Sequence, residues 1–322
     1  MEVVIPESYI PMLVKKIKHP ISDIWIYNYT QYCNGKRLWD DITKLCRSLI
    51  LDKNNHVVAR GFPKFFNYSE PEAELLDEGY EIYEKLDGSI ILLFCYNNDW
   101  IFSSKGSFEN SQVQKAKELM SGKMKDLDKD LTYVYEIIYP NNRIIVNYGS
   151  REELVYLSSF TKDGTEKNIN KSLLVGSGIG SECFKELQIE ESDLEGYVIR
   201  YKSGKRVKVK FLKYLQNHIL HSNLSPQKIK KLFATTSLEN ILIEYEEELH
   251  DFIQKEWNKI DNEYTKIYNE LKNEYNTYYA EDRKQFFTSI NKSPNKTVLS
   301  YMYSDKIDAV KKTILSKISP EL

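Results

Sequence analysis

The stretch Glu84-Lys85-Leu86-Asp87-Gly88-Ser89 separates two strand-like runs, and its reading decides how the rest of the chain is organised. From Tyr80 the residues read as a strand, and Asp87-Gly88 breaks it. A second strand runs through Tyr96, Asn97-Asn98-Asp99 makes a polar turn, and a third strand continues from Trp100 to Ser104. Lys85 therefore stands at a strand end. Asp-Gly is a favoured turn pair, so Lys-x-Asp-Gly by itself predicts only a solvated turn with an exposed lysine. Its significance depends on the residues elsewhere in the chain that can act with it.

Upstream, Ile24 to Tyr29 reads as a strand, and Ser48 to Leu51 with His56 to Ala59 reads as a hairpin around Asp52-Lys53-Asn54-Asn55. Arg60 to Tyr68 interleaves aromatic and basic residues around Pro63, which suits either a packed aromatic loop or a nucleotide-contact surface. Downstream, Ser111 to Lys125 has helical spacing. Thr132 to Tyr139 and Arg143 to Tyr148 predict a hairpin, and Leu154 to Phe160 a further strand. Gly196 to Tyr201 and Arg206 to Phe211 flank the turn Lys202-Ser203-Gly204-Lys205, so Lys208 and Lys210 share one face of a strand.

Beyond about residue 220 the pattern changes. Ser225-Pro226 reads as an N-cap with proline at the first helical position. Leu249, Ile253, Trp257, Ile260, Tyr264, Ile267, Leu271, Tyr275 and Tyr278 then step by three or four along one long helix. Ser293-Pro294 and Ser304-Asp305 mark the starts of shorter helices. The expected fold is α+β: antiparallel sheets in a domain spanning 1–220, then an all-helical domain spanning 221–322.

The 322 residues, 41% hydrophobic and 29% charged, suit a folded chain of about two domains rather than a disordered one. A net charge of −2 excludes a protein that coats nucleic acid nonspecifically, but leaves room for a local basic groove. The cysteines Cys33, Cys46, Cys95 and Cys183 form no Cys-x-x-Cys pair for zinc or redox work, and are expected to be reduced. No run is long enough to span a membrane, and Met1-Glu2-Val3-Val4 lacks the basic start of a signal peptide, so the expected compartment is the cytoplasm.

Lys85 is the candidate nucleophile. A free lysine titrates near ~10.4, so only about one in 2,500 is neutral at pH 7, and a reactive one needs help from burial, cations or a metal. Lys208 and Lys210 are candidate neighbours that would also bind a phosphate. Glu136 and Glu195 sit among apolar strand residues, where a carboxylate is costly unless it is paired or holds a metal. His218 and His221, three apart near a predicted helix start, are a weaker metal pair.

Together these pieces resemble the covalent nucleotidyltransferases, and in detail the T4 RNA ligase 1-like family of ATP-dependent RNA ligases. Lys85-Leu86-Asp87-Gly88-Ser89 resembles the adenylated motif, and Ser104-Lys105-Gly106-Ser107 the short motif after it. Tyr135 to Ile144, around Glu136, is similar to the next; Glu195-Gly196-Tyr197-Val198 and Lys208-Val209-Lys210 resemble the last two. Tyr27-Asn28-Tyr29, Cys46-Arg47-Ser48 and Pro63-Lys64-Phe65-Phe66-Asn67 resemble segments found in this family and generally lacking in DNA ligases. The family carries glycine where this chain has Ser48.

The resemblance implies a nucleotidyltransferase domain with ATP-grasp-like antiparallel sheets and a helical domain that sets RNA preference. It implies a lysyl-AMP on Lys85 and ATP contacts from Tyr27, Arg47, Lys64, Glu84, Asp87, Gly88, Lys105, Glu136, Glu195, Lys208 and Lys210. A magnesium or manganese ion would sit on Asp87, Glu136 and Glu195. The expected reaction joins RNA 5′-phosphate and 3′-hydroxyl ends, with broken tRNA a candidate substrate and a monomer the expected state. The alternatives are a DNA ligase or GTP-dependent capping-type transferase, both of which normally carry a barrel after the last lysine motif, and a non-catalytic RNA-binding protein.

Overall fold

The computed structural model describes residues 1–190 and 192–318. The chain divides into two units, Met1–His218 and Ile219–Leu322. The last four residues of the expected helical domain lie outside the described residues.

The first unit holds three sheets. A four-stranded sheet has the order Val14–Lys18, Ile24–Tyr29, Arg47–Asp52, Val57–Ala59. A five-stranded sheet runs Glu166–Ile169, Glu153–Phe160, Thr132–Ile138, Ser89–Tyr96, Asp99–Ser104. A second five-stranded sheet runs Leu174–Ile179, Gly79–Lys85, Gly196–Tyr201, Arg206–Lys210, Phe66–Asn67. All pairings are antiparallel except that of Phe66–Asn67 with Arg206–Lys210.

Strand alternation builds the layers. Ile24, Ile26 and Ile50 of the first sheet meet Leu92, Phe94 and Ile101 of the second in one buried cluster. The opposite side of the second sheet, with Ile91, Leu93 and Tyr135, takes Val113, Ala116 and Met120 of the helix Ser111–Met120. Ile199, Tyr201, Val207 and Val209 pack the back of the third sheet against Phe184. Its front is tied to the edge of the second sheet by Glu166, which accepts from Arg200 Nε at 2.9 Å and pairs with Arg206.

The hairpin ending at Trp100 follows its turn chemistry: Asn97 and Asn98 both have positive φ, at 52° and 70°, which asparagine tolerates. The predicted strand 143–148 is not one. The N–H groups of Ile145 and Val146 instead donate to Asp87 Oδ2 at 2.8 and 2.7 Å, so a side chain takes the bonds that a strand partner would have made. Four strands had no clear signal: Val14–Lys18, Phe66–Asn67, Glu166–Ile169 and Leu174–Ile179. Each is a sheet edge, where one side needs no apolar partner and polar residues are favoured.

The second unit is helical throughout its described residues. The stripe that starts at Leu249 lies on one helix, Glu247–Tyr278, whose first turn carries Glu247 and Glu248 in the orientation favoured by the helix dipole. Its inner face packs with Ile229, Phe233, Ile241, Val310 and Ile314. Ser225 caps the helix Pro226–Thr235 by accepting from Lys228 N–H at 3.2 Å. His218 and His221 fall near the end of the helix Leu212–His221 rather than at a start, with His218 buried and His221 exposed. No helix among the described residues is long and apolar enough to cross a membrane.

Candidate active site

Three strands place the central group. Across the third sheet Lys85, Gly196 and Lys210 are register partners, so the two lysines flank a residue with no side chain. Glu195, just before that glycine, fills the space between them. Lys85 Nζ donates to Glu195 Oε2 at 2.7 Å, and Lys210 Nζ pairs with Oε1 at 2.8 Å. Gly196 is irreplaceable here on two counts: its φ is +146°, and a Cβ would lie 2.2 Å from Val209 O and 2.8 Å from Lys210 Cα.

Glu195 is buried. Burial opposes its charge, but the ammonium groups of Lys210 and Lys85 prevail and hold its carboxyl below the usual carboxylate range. The expectation that Lys208 and Lys210 act directly on Lys85 is amended by this geometry. A carboxylate stands between Lys85 and Lys210, while Lys208, also buried, lies 5.8 Å from the Phe65 ring centre on the same face. The sharing of that face by Lys208 and Lys210 is as the alternation predicts.

Glu136 enters from the second sheet, whose strand Thr132–Ile138 pairs with Ser89–Tyr96 directly after the Lys85 loop. It is 8% exposed and accepts no hydrogen bond among the described residues. Burial pushes its carboxyl up to about 8, against the opposing pull of Lys85 and Arg47, with Glu195 and Asp87 adding to the rise. Gly88 permits this approach: a Cβ there would meet Ile137 O at 2.5 Å and Glu136 Cγ at 3.1 Å.

Asp87, expected as a metal ligand, is engaged otherwise. Oδ2 accepts from the two amides of Ile145 and Val146, and Oδ1 accepts from Tyr214 O–H at 2.9 Å. The Asp87 N–H in turn donates to Tyr148 Oη at 2.9 Å. This carboxylate fixes the Lys85 loop, and both of its oxygens are taken. Glu195 likewise has an ammonium on each oxygen, so of the three expected ligands Glu136 is the one whose oxygens have no partner among the described residues. Glu136 suits a divalent ion: a buried carboxylate that lacks a hydrogen bond among the described residues and is pushed toward its neutral form lies next to a second carboxylate.

A basic rim is assembled from the first sheet and its loops. Arg47 donates to Phe62 O at 3.4 Å and lies 5.7 Å over the Phe65 ring. Ser48 adopts φ +61°, the left-handed region for which glycine is suited, at the bulge opposite Asn28. Two hydrogen bonds hold it there: its N–H donates to Asn28 Oδ1 at 2.8 Å, and its hydroxyl to Lys105 O at 3.0 Å. Lys105 is exposed and reaches Tyr29 Oη at 3.3 Å. Lys64 is buried among the rings of Tyr29, Trp39 and Phe66, 5.0 to 5.6 Å from their centres, with Asn34 Oδ1 at 3.4 Å.

Two expected contacts are displaced. Tyr27 is 3% exposed and packs with Val14, Cys46, Leu49 and Leu51, because alternation turns it to the outer face of the first sheet. Glu84 is turned by the same rule to the face opposite Lys85. In Tyr27-Asn28-Tyr29 the rim contacts come instead from Asn28, whose buried Nδ2 has no partner among the described residues, and from Tyr29 between Lys64 and Lys105. A buried amide flanked by aromatic strand residues was the available signal.

A family model described as RNA ligase, of the T4 RNA ligase 1 type, matches residues 45–170. A protein of Autographa californica nuclear polyhedrosis virus, provisionally named a bifunctional polynucleotide kinase/RNA ligase, is 26% identical over 45% of this chain. The match spans only 25% of that relative's length. An RNA ligase of Rhodothermus phage RM378 is 22% identical over 70% of this chain and 71% of its own. Among solved structures, an archaeal ATP-dependent RNA ligase aligns with TM-score 0.45 and 13% identity, over 97% of this chain and 74% of that one. The matched residues 45–170 contain the Lys85 loop, Lys105 and Glu136, so the similarity to T4 RNA ligase 1-type RNA ligases falls on the segment that carries the candidate nucleophile.

Proposed function

We propose that the chain is an ATP-dependent RNA ligase that joins RNA 5′-phosphate and 3′-hydroxyl ends. The observation that carries this reading is the Lys85–Glu195–Lys210 bridge beside Glu136, built from segments far apart in sequence. Lys85 Nζ attacks the α-phosphorus of ATP, a phosphoramidate N–P bond forms, and pyrophosphate leaves. AMP then passes to the RNA 5′-phosphate, freeing Lys85. The 3′-hydroxyl attacks that activated phosphate, forming the phosphodiester and releasing AMP.

Glu195 orients the amine and, with its low pKa, serves as an anchor rather than a base. Arg47, Lys64, Lys105, Lys208 and Lys210 supply the positive charge that a triphosphate requires. Glu136, with Glu195 beside it, would hold a magnesium or manganese ion, which when bound neutralises phosphate charge and favours loss of the Lys85 proton.

Helices follow Lys210 from Leu212 to Lys317 where DNA ligases and capping enzymes carry a barrel, which favours the RNA-ligase reading over those rivals. The helical unit, by the same reading, selects the RNA, with broken tRNA as candidate, and the protein works as a monomer in the cytoplasm, or the host cytoplasm if viral. Incubation with α-labelled ATP followed by denaturing electrophoresis tests the core of this. Wild type should carry label and Lys85→Ala none; an unlabelled wild type, or a labelled Lys85→Ala, overturns it.

A further inference from the structure

Beside the Lys85 loop lies a cavity of about 190 Å³ that the chemistry described so far leaves unused. Its lining is apolar and aromatic through Ile138, Tyr139 and Tyr148, and at the rim, where the exposed side chains lie, it includes Arg143, Asn147 and Arg151. The one carboxylate in its wall is Asp87, already committed to two backbone amides and Tyr214. The rim is therefore net positive.

Arg143 is exposed and spends only Nε within the protein, on Ile145 O at 3.2 Å; among the described residues it has no carboxylate partner. Arg151 stacks 5.8 Å over the Tyr148 ring and pairs with exposed Glu153 at 2.8 Å, an ion pair of little net strength that a phosphate can replace. Asn147 accepts from Gly149 N–H through Oδ1, which leaves its NH₂ group to donate. The size of the cavity suits one aromatic ring system, since about 150 Å³ accepts a benzene. Ring faces beside arginine forks form the combination that holds a base and its phosphate in single-stranded RNA.

We propose that this cavity is a nucleotide subsite for the RNA strand, with Arg143 and Arg151 on a backbone phosphate and the base against Tyr139 or Tyr148. The inference rests on the RNA-ligase reading above and extends it to a site for the substrate strand. The wall is coupled to the nucleophile's loop, because the segment bearing Ile145, Val146 and Tyr148 is bonded to Asp87. RNA seated here would thus lie on the element that positions Lys85.

Three readouts on Arg143→Ala, Arg143→Lys, Arg151→Ala and the double alanine variant test it: lysyl-AMP formation, AMP transfer to a 5′-phosphorylated oligoribonucleotide, and anisotropy of that labelled RNA without ATP. Each alanine variant should form lysyl-AMP within about twofold of wild type and bind RNA about tenfold more weakly, with AMP transfer reduced to match at subsaturating RNA. Arg143→Lys should fall between wild type and Arg143→Ala. The double variant should shorten the salt slope of RNA binding by about two. Wild-type RNA affinity in the double variant overturns the subsite, as does a loss of lysyl-AMP in step with AMP transfer, which would make the cavity a support for the Lys85 loop. An unlabelled wild type counts against the ligase reading, while the anisotropy arm still decides the subsite.

Discussion

Glu195 and Glu136 begin from the same predicament and end in opposite states. Each precedes or interrupts an apolar strand, each is buried, and they lie close enough to affect one another's charge. Glu195 has an ammonium on each oxygen and is held ionised below the ordinary range. Among the described residues Glu136 has no ion pair or hydrogen bond, and it is pushed up to about 8. A buried carboxylate is thus either completed by the protein or left for something the protein must bind. The first kind gives a rigid scaffold, and the second a carboxylate that added positive charge would stabilise.

The largest effect should follow from breaking the completed member. Glu195→Gln removes the carboxylate shared by buried Lys210 and half-buried Lys85 and should lower stability by about 3 kcal/mol in urea unfolding, with lysyl-AMP formation lost. Retention of wild-type stability would show that the bridge is not formed in solution.

Glu136→Gln should act in the opposite sense without metal. The folded carboxyl titrates near 8, above its unfolded value, so wild-type stability is full at low pH and is lost as pH rises through about 8. The loss is on the order of 4 kcal/mol across that window, and the glutamine variant should show a flatter melting profile there. Glu195 has the reverse sign: its contribution is present above the unfolded carboxylate range and disappears on acidification.

A smaller signal should distinguish the two as metal ligands. At pH 7 magnesium must displace the proton on Glu136, so wild type should release about one proton per ion bound and Glu136→Gln almost none. Calorimetric titration in two buffers of different ionisation enthalpy reads this directly, and equal release from both proteins would remove Glu136 from the metal site. The smallest effect belongs to the rim, away from either carboxylate. Ser48→Gly relieves a positive φ and loses one hydroxyl bond, each worth roughly 1 kcal/mol, so its melting temperature should stay near wild type. Ser48→Ala keeps the strain, loses the bond, and should melt lower.

Much of this was legible in the residues. Asn97-Asn98 announces its turn by the positive φ that asparagine tolerates, Asp87-Gly88 marks the break between two strands, and the apolar spacing from Leu249 to Tyr278 corresponds to one helix. Edge strands were not legible, because Leu174–Ile179 or Glu166–Ile169 need bury only part of their surface and carry no strong pattern. Nor was the direction of Tyr27, since its type suits core and cleft alike and only the packing of its sheet shows which of the two alternating faces is covered.

The sequence by itself determined which residue types are available near Lys85 and in what chain order: one lysine at a turn, two more on one strand face, and two carboxylates in apolar strands. Local pattern sufficed because turns, alternation and helical spacing are short-range properties. Tertiary structure alone decided the pairing. Lys85 meets Glu195 only because Gly196 lets strands from three parts of the chain close over it, and Asp87 is tied down only because two amides more than fifty residues away reach it. Charge state follows neighbours in space, so the same residue, glutamate, became an anchor at one position and a proton holder at the other.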